Sequence, residues 1–229
     1  VPWMRVMVVF MAVMLTGSVL APPLMQRLVP SAGAAPMVVF LYLVTGGVGL
    51  WLIGRVGREH PAERWADLTG LSQSFAPSRL ARSAVSGLGG YCMIWPAVVA
   101  AAAMSSMLGL GGEPFDNPIA LLLVSDPQPS SLAVLGLAVA ILAPAFEEPL
   151  FRGYLFGRLR RNMTPYGAAA LSGLVFAVAP FSLDNLLPLW AIGFTLGILY
   201  DRTRDLAAPI IAHGLWNLVA ASSLLTVFG

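Results

Sequence analysis

Two carboxylates and one guanidinium lie close together in a stretch of sequence that is otherwise apolar. Glu147, Glu148 and Arg152 follow directly after the apolar run 132–146. An ionisable side chain inside a membrane segment costs roughly 2.5 to 3.5 kcal/mol, so each of the three needs a structural or functional reason. If the helix continues through Pro149, Glu148 and Arg152 are i and i+4 neighbours that can pair. Glu147 then points about 100° away, which leaves it as a candidate general base in a poorly solvated place.

A second polar pair lies inside the last apolar run of the chain. His213 and Asn217 are four residues apart, so both fall on one face of a helix. A neutral imidazole beside an amide can donate hydrogen bonds to a developing oxyanion, and the histidine could alternatively bind a metal ion. The two groups of residues together offer a candidate general base on one helix and candidate oxyanion donors on another.

The elements that position these residues are predicted to be membrane helices. Of the 229 residues 58% are hydrophobic, only 10% are charged, and the mean hydropathy is +0.80. A soluble domain of this size could not bury so much apolar surface, so the chain is predicted to be an all-α, polytopic membrane protein. We expect about seven transmembrane helices, near 4–25, 36–53, 83–108, 131–156, 165–183, 186–200 and 207–228.

The arginines support this topology. All 13 basic residues are arginine, and they concentrate in the second, fourth and sixth connections between the predicted spans. Short cytoplasmic loops are enriched in arginine, so the alternation predicts a cytoplasmic N-terminus and an external C-terminus. The arginines do not cluster as a nucleic-acid surface requires, so the bilayer is the expected partner. The sequence begins at Val1 instead of methionine, so the prediction allows for further residues or a helix upstream of Val1.

The motifs resemble one family of membrane proteases. Glu147, Glu148 and Arg152 are similar to the EExxxR motif, and His213 with Asn217 to the HxxxN motif, of the CPBP family of CAAX prenyl proteases and bacteriocin-processing proteins. The resemblance covers about residues 131–218. It divides the chain into N-terminal helices and loops, 1–130, and a core that resembles the family, 131–229.

The resemblance implies an all-helical fold in the bacterial inner membrane and an intramembrane endopeptidase. By that resemblance Glu147 activates water, Glu148 and Arg152 are its partners, and His213 with Asn217 assists at the oxyanion. The implied substrates are membrane-associated peptides or proteins, of which prenylated ones are one class.

The chain departs from the family in its middle motif, FxxxH. Phe176 is present, but Pro180 occupies the histidine position, and the other histidine, His60, lies in a polar loop. His213 and two glutamates would be a poor set of zinc ligands, so a zinc-dependent mechanism is disfavoured. We therefore expect that no cofactor is required. A glutamate-activated water needs only a base and an oxyanion donor.

Pro180 also motivates a second hypothesis, a catalytically impaired member of the family that binds a membrane peptide in an immunity or regulatory role. A transporter is a third class, which the absence of inverted repeats in the sequence disfavours.

Two further patterns are expected to be structural. Gly193 and Gly197 form a small-xxx-small pair that permits close helix packing. Asp201 and Asp205, beside two arginines, are expected to form a solvated charge cluster.

Overall fold

The described part of the chain is a bundle of helices. The computed structural model describes residues 4, 8–12, 27, 34–59, 71, 74–75, 77–110, 128–179 and 184–228. Within these residues there is no strand, so the all-α prediction is confirmed. The helices are α1 (Ala34–Glu59), α2 (Leu80–Met107, after a 3-10 turn at Pro77–Arg79), α3 (129–159), α4 (Pro165–Val178), α5 (Leu186–Thr203) and α6 (Ala207–Phe228).

Three of the helices are long and apolar enough to cross a bilayer. They contain the apolar stretches Val38–Arg55, Pro77–Met107 and Ser130–Leu159, which match the second, third and fourth predicted spans. The fifth prediction corresponds to the shorter apolar helix α4, and the last two correspond to α5 and α6. Most of the first predicted span, 4–25, lies outside the described residues. The total of seven transmembrane helices therefore stays a prediction.

Helix α3 is continuous but not regular. It consists of Pro129–Leu137, a π-helical turn at Ala138–Leu142, Ala143–Glu148, a longer π-helical segment at Pro149–Phe156, and Gly157–Leu159. Pro144 and Pro149 lie next to the irregular segments, and a proline has no N–H for the carbonyl four residues before it. Extra residues per turn accommodate this loss, and such π turns are frequent at functional sites.

Helices α4 and α5 approach each other backbone to backbone. A Cβ atom on Gly193 would lie 2.7 Å from Gly173 Cα, and one on Gly197 would lie 3.1 Å from Ala169 Cβ. The Trp190 indole N–H also donates to the Ala170 carbonyl at 3.0 Å. The small-xxx-small pair is thus a packing element, as predicted.

This packing gives a first testable expectation. The substitution Gly193→Ala should destabilise the protein by about 1 to 3 kcal/mol, because the added methyl group meets backbone atoms that cannot move aside independently. Gly136→Ala is the matched control, since nothing lies within 4 Å of a Cβ there. Denaturant unfolding in detergent should separate the two variants. Equal midpoints for both variants would contradict the close approach.

The arginine-rich connections meet at one end of the bundle. Helices α2 and α6 begin there, where Ser83 Oγ donates to Asp205 at 2.5 Å. Helices α3 and α5 end there, where Arg160 Nε donates to Asp201 at 2.8 Å. Helix α1 runs parallel to α3, with Gly49 against Leu150, so Arg55 reaches this end as well.

The expectation of a solvated cluster is wrong for Asp205. Its exposed fraction is only 4%, and its carboxylate accepts from Ser83 Oγ and from the Ala207 backbone N–H at 2.9 Å. The carboxylate therefore lies between the first turns of α2 and α6, where helix dipoles favour negative charge. Asp201 does belong to a charge cluster, because it bridges Arg160 and Arg204.

Candidate active site

The central contact of the site is a buried ion pair within α3. Arg152 Nη1 donates to Glu148 Oε1 at 2.8 Å, and the two side chains are 1% and 0% exposed. The predicted i, i+4 pairing is therefore present even though Pro149 and a π-helical segment lie between the residues. Burying one of these charges without the other would be strongly unfavourable.

His213 joins this pair from α6. Its Nδ1 lies 2.7 Å from Glu148 Oε1, the same oxygen that accepts from Arg152. Because Glu148 Oε1 also accepts from Arg152, we take Nδ1 as the donor in this contact, which holds the imidazole in one orientation. Its other nitrogen, Nε2, consequently points away from Glu148. Glu148 is therefore more than the neutralised partner of Arg152, since it also orients the histidine.

Glu147 occupies a different environment from its neighbour in sequence. Its side chain is 17% exposed, whereas that of Glu148 is fully buried. Glu147 Oε2 lies 3.9 Å from His213 Nε2, which is too long for a direct hydrogen bond. Glu148 thus lies within hydrogen-bond distance of Nδ1 of the imidazole, whereas Glu147 lies near Nε2 without a direct hydrogen bond.

Aromatic and backbone groups complete the surroundings of Arg152. Phe176 on α4 lies 4.7 Å from the guanidinium carbon and 5.6 Å from the His213 ring centre. Arg152 Nη2 also reaches the Gly193 carbonyl at 3.3 Å. Phe176, the first residue of the FxxxH motif, therefore packs against the polar cluster and shields it on the α4 side.

Asn217 makes a contact that the sequence did not predict. Its Nδ2 donates to the Val139 carbonyl at 2.8 Å, in the π-helical turn of α3. In the same region a Cβ on Gly214 would lie 2.5 Å from the Ala140 carbonyl oxygen. Pro144 has no N–H and lies five residues after Val139, the spacing of a π-helical hydrogen bond, so it is the sequence signal for a freed Val139 carbonyl. Gly214 lets α6 approach α3 at this point.

The structure thus brings together four of the five predicted site residues: Glu147, Glu148, Arg152 and His213. Asn217 lies one helical turn further along α6. Pro180 lies outside the described residues, as does His60. Within the described ranges, no three His, Cys, Asp or Glu side chains are grouped as metal ligands, and His213 Nδ1 and Glu148 Oε1 are already engaged with each other.

An apolar groove lies between the first half of α3 and residues 210–222 of α6. Its volume is about 770 Å³, and it is lined by residues such as Leu137, Ile141, Gly214 and Leu218. Gly214 is the residue next to His213. The groove therefore offers a hydrocarbon environment within one helical turn of His213.

Comparison with known families points to the same part of the chain. Residues 129–219 match a family described as Rce1-like, type II CAAX prenyl endopeptidase. This range begins at α3 and ends just after Asn217, so it includes every polar group of the cluster. No solved structure matches the chain.

Curated relatives include two bacterial proteins with protease names. The chain is 33% identical over 111 residues to the Bacillus subtilis protein named "Putative membrane peptidase YdiL", which covers 48% of this chain and 43% of that protein. It is 33% identical over 85 residues to "Membrane-embedded CAAX protease MroQ" of Staphylococcus aureus, covering 34% of each. The chain spans less than half the length of these two relatives. Residues 129–219 are thus similar to the Rce1-like CAAX proteases, and this match confirms the resemblance predicted from the two motifs.

Proposed function

We propose that the protein is an intramembrane endopeptidase in which Glu147 activates a water molecule for hydrolysis of a peptide bond. The observation that carries the proposal is the contrast between two adjacent carboxylates. Glu148 is fully buried and held by Arg152 and His213, while Glu147 keeps 17% of its side chain exposed and faces the other imidazole nitrogen. In this proposal one carboxylate is fixed as a support, and the other keeps part of its surface free for a water molecule.

Charge balance favours this assignment. With His213 protonated, the cluster of two carboxylates, one guanidinium and one imidazolium is neutral. When the water oxygen attacks the peptide carbonyl carbon, its proton passes to Glu147 and a negative charge appears on the carbonyl oxygen. The net charge does not change, and His213 Nε2 can donate to the new oxyanion. The C–N bond then breaks, and Glu147 gives its proton to the leaving amine.

Asn217 can assist while it keeps its structural contact. A side-chain amide nitrogen carries two hydrogens, and Val139 accepts only one of them. We assign the second hydrogen to the oxyanion, next to that of His213. No step in this scheme requires a metal ion.

The substrate that fits is a membrane-associated peptide or protein. The apolar groove beside His213 can accept a hydrocarbon group or an apolar segment of a substrate. Prenylated peptides are one class with this chemistry.

The test of the function is cleavage in liposomes. Purified protein should cut a lipid-anchored or prenylated peptide, and mass spectrometry should identify a single new C-terminus. The same peptide without its anchor should be cut much more slowly, because it does not enter the bilayer. Binding of anchored peptides without any turnover would reject the proposal.

That outcome would favour the second hypothesis, a binding protein of regulatory or immunity type. The observation that motivates it is Pro180 at the position of a family histidine. Under this hypothesis the wild-type protein binds but does not cut, and Pro180→His restores cleavage. Turnover by the wild-type protein excludes it.

We further place the arginine-rich end of the bundle in the cytoplasm of a bacterial cell, by the positive-inside rule. Arg161 is exposed at that end. In a Cys92→Ser background, Arg161→Cys should react with a membrane-impermeant maleimide in inverted vesicles and stay unreactive in intact spheroplasts. The opposite labelling pattern would reverse the orientation.

A further inference from the structure

Helix α2 packs along the part of α6 that carries His213. The two helices run in the same direction, because the contacts between them advance together along both. The contacts join Ser83 to Asp205, Gly87 to Ala208, Gly90 to Ala212 and Trp95 to Trp216. Helix α2 lies outside residues 129–219, so the family match assigns it no role.

The approach is closest at Gly87. A Cβ there would lie 2.8 Å from Ile211 Cβ and 3.0 Å from the Ala208 carbonyl oxygen, both well inside the separation at which non-bonded atoms attract. One turn further along, a Cβ on Gly90 would lie 3.4 Å from Ala212 Cβ. Because the obstacle at Gly87 includes the backbone of α6, a larger side chain at this position has to displace the helix.

Helix α6 has no free space on its opposite side. A Cβ on Gly214 would lie 2.5 Å from the Ala140 carbonyl oxygen of α3. Ala212 and Gly214 point about 200° apart around α6, so the helix is held between α2 and α3, and His213 lies between these two contacts. A movement of α6 away from α2 therefore changes the distances from His213 to Glu148, 2.7 Å, and to Glu147, 3.9 Å.

A buried hydrogen bond fixes the beginning of α6 against α2. Ser83 and Asp205 are both 4% exposed, and the Ser83 hydroxyl donates to the Asp205 carboxylate. The same carboxylate accepts from the backbone N–H of Ala207, the first residue of α6. A buried carboxylate that loses a donor is unfavourable, so this contact sets the height of α6 roughly 12 Å before His213.

We propose that Gly87 and Ser83 of α2 are positioning residues of the active site: together they set the lateral position and the height of α6, and through α6 the position of His213 between the two glutamates. Gly87 acts through the backbone of Ala208, and Ser83 acts through Asp205. The inference rests on the proposed function for its catalytic meaning.

Two substitutions in α2 test the effect on turnover. Gly87→Ala and Ser83→Ala should each lower kcat for an anchored peptide about 10- to 100-fold, because a misplacement of about 1 Å can reduce a catalysed rate about 100-fold. Gly89→Ala is the control for the first, since within the described part of the chain nothing lies within 4 Å of a Cβ there. Ser106→Ala, at an exposed serine of α2, is the control for the second. Wild-type kcat in both test variants would overturn the proposal.

A second measurement reports the position of His213 without turnover. The chain has two histidines, so a His60→Gln background labelled with ¹⁵N-histidine gives the imidazole signals of His213 alone. The Nδ1 signal, which reports the contact with Glu148, should shift in Gly87→Ala and Ser83→Ala and stay in place in Gly89→Ala and Ser106→Ala. An unshifted signal in both test variants overturns the proposal, even where their stability or activity falls. A shifted signal in a protein that cuts no peptide supports the positioning and rejects only the proposed function.

Discussion

Glu147→Gln should lower kcat for an anchored peptide by about 10²- to 10⁴-fold, the range that a positioned general base contributes. The amide has nearly the shape of the carboxylate but cannot take a proton from water. KM should change little, because Glu147 is not needed to hold the apolar part of the substrate. The measurement is the initial rate of peptide cleavage in liposomes at several substrate concentrations.

Two further variants make the Glu147 result specific. Asp184→Asn makes the same chemical change in the connection between α4 and α5 and should keep the wild-type rate. Glu148→Gln should also reduce the rate, but through misplacement of His213, whose Nδ1 lies 2.7 Å from Glu148 Oε1. Cleavage by Glu147→Gln at the wild-type rate would remove Glu147 from the mechanism.

Arg152→Met should destabilise the protein by about 3 to 5 kcal/mol, the range for breaking a buried ion pair by removing one partner. Methionine fills much of the volume of arginine but leaves Glu148 without its guanidinium, at 0% exposure. The Gly193 carbonyl and the Phe176 ring lose a partner in the same substitution.

The double variant Glu148→Gln/Arg152→Met should recover much of this loss, because it removes both charges. The free energy of unfolding in detergent, measured for the two single variants and the double variant, gives the coupling between the residues. Arg202→Met on the exposed surface of α5 is the control and should change stability by less than about 0.5 kcal/mol. An Arg152→Met variant as stable as this control would show that the pair is not buried as described.

The contacts that could be predicted are those within one helix. Glu148 and Arg152 are four residues apart, so helical periodicity alone brings them together. The same reasoning put His213 and Asn217 on one face of α6. Helical periodicity does not predict contacts between helices. The Glu148–His213 contact joins residues that are 65 positions apart in the sequence, so it depends on how the helices pack.

Asn217 and Asp205 show why the remaining predictions were incomplete. Asn217 was expected to assist at the oxyanion, and the structure shows that it also donates to the Val139 carbonyl of the neighbouring, proline-containing helix. Asp205 looked solvated among arginines, whereas its surroundings are set by the first turns of two helices that meet only in the folded bundle. In both cases a deciding partner, the Val139 carbonyl or the Ser83 hydroxyl, lies on another helix, and sequence patterns do not show which groups of other helices lie nearby.

The central claim is that a water molecule activated by Glu147 attacks the peptide bond directly. Its most direct test is a single-turnover reaction in H₂¹⁸O with excess protein, followed by mass spectrometry of both protein and products. The account predicts one ¹⁸O atom in the new carboxylate of the product and no change in the mass of the protein at any time. A protein species that carries the acyl half of the peptide before product appears would contradict it.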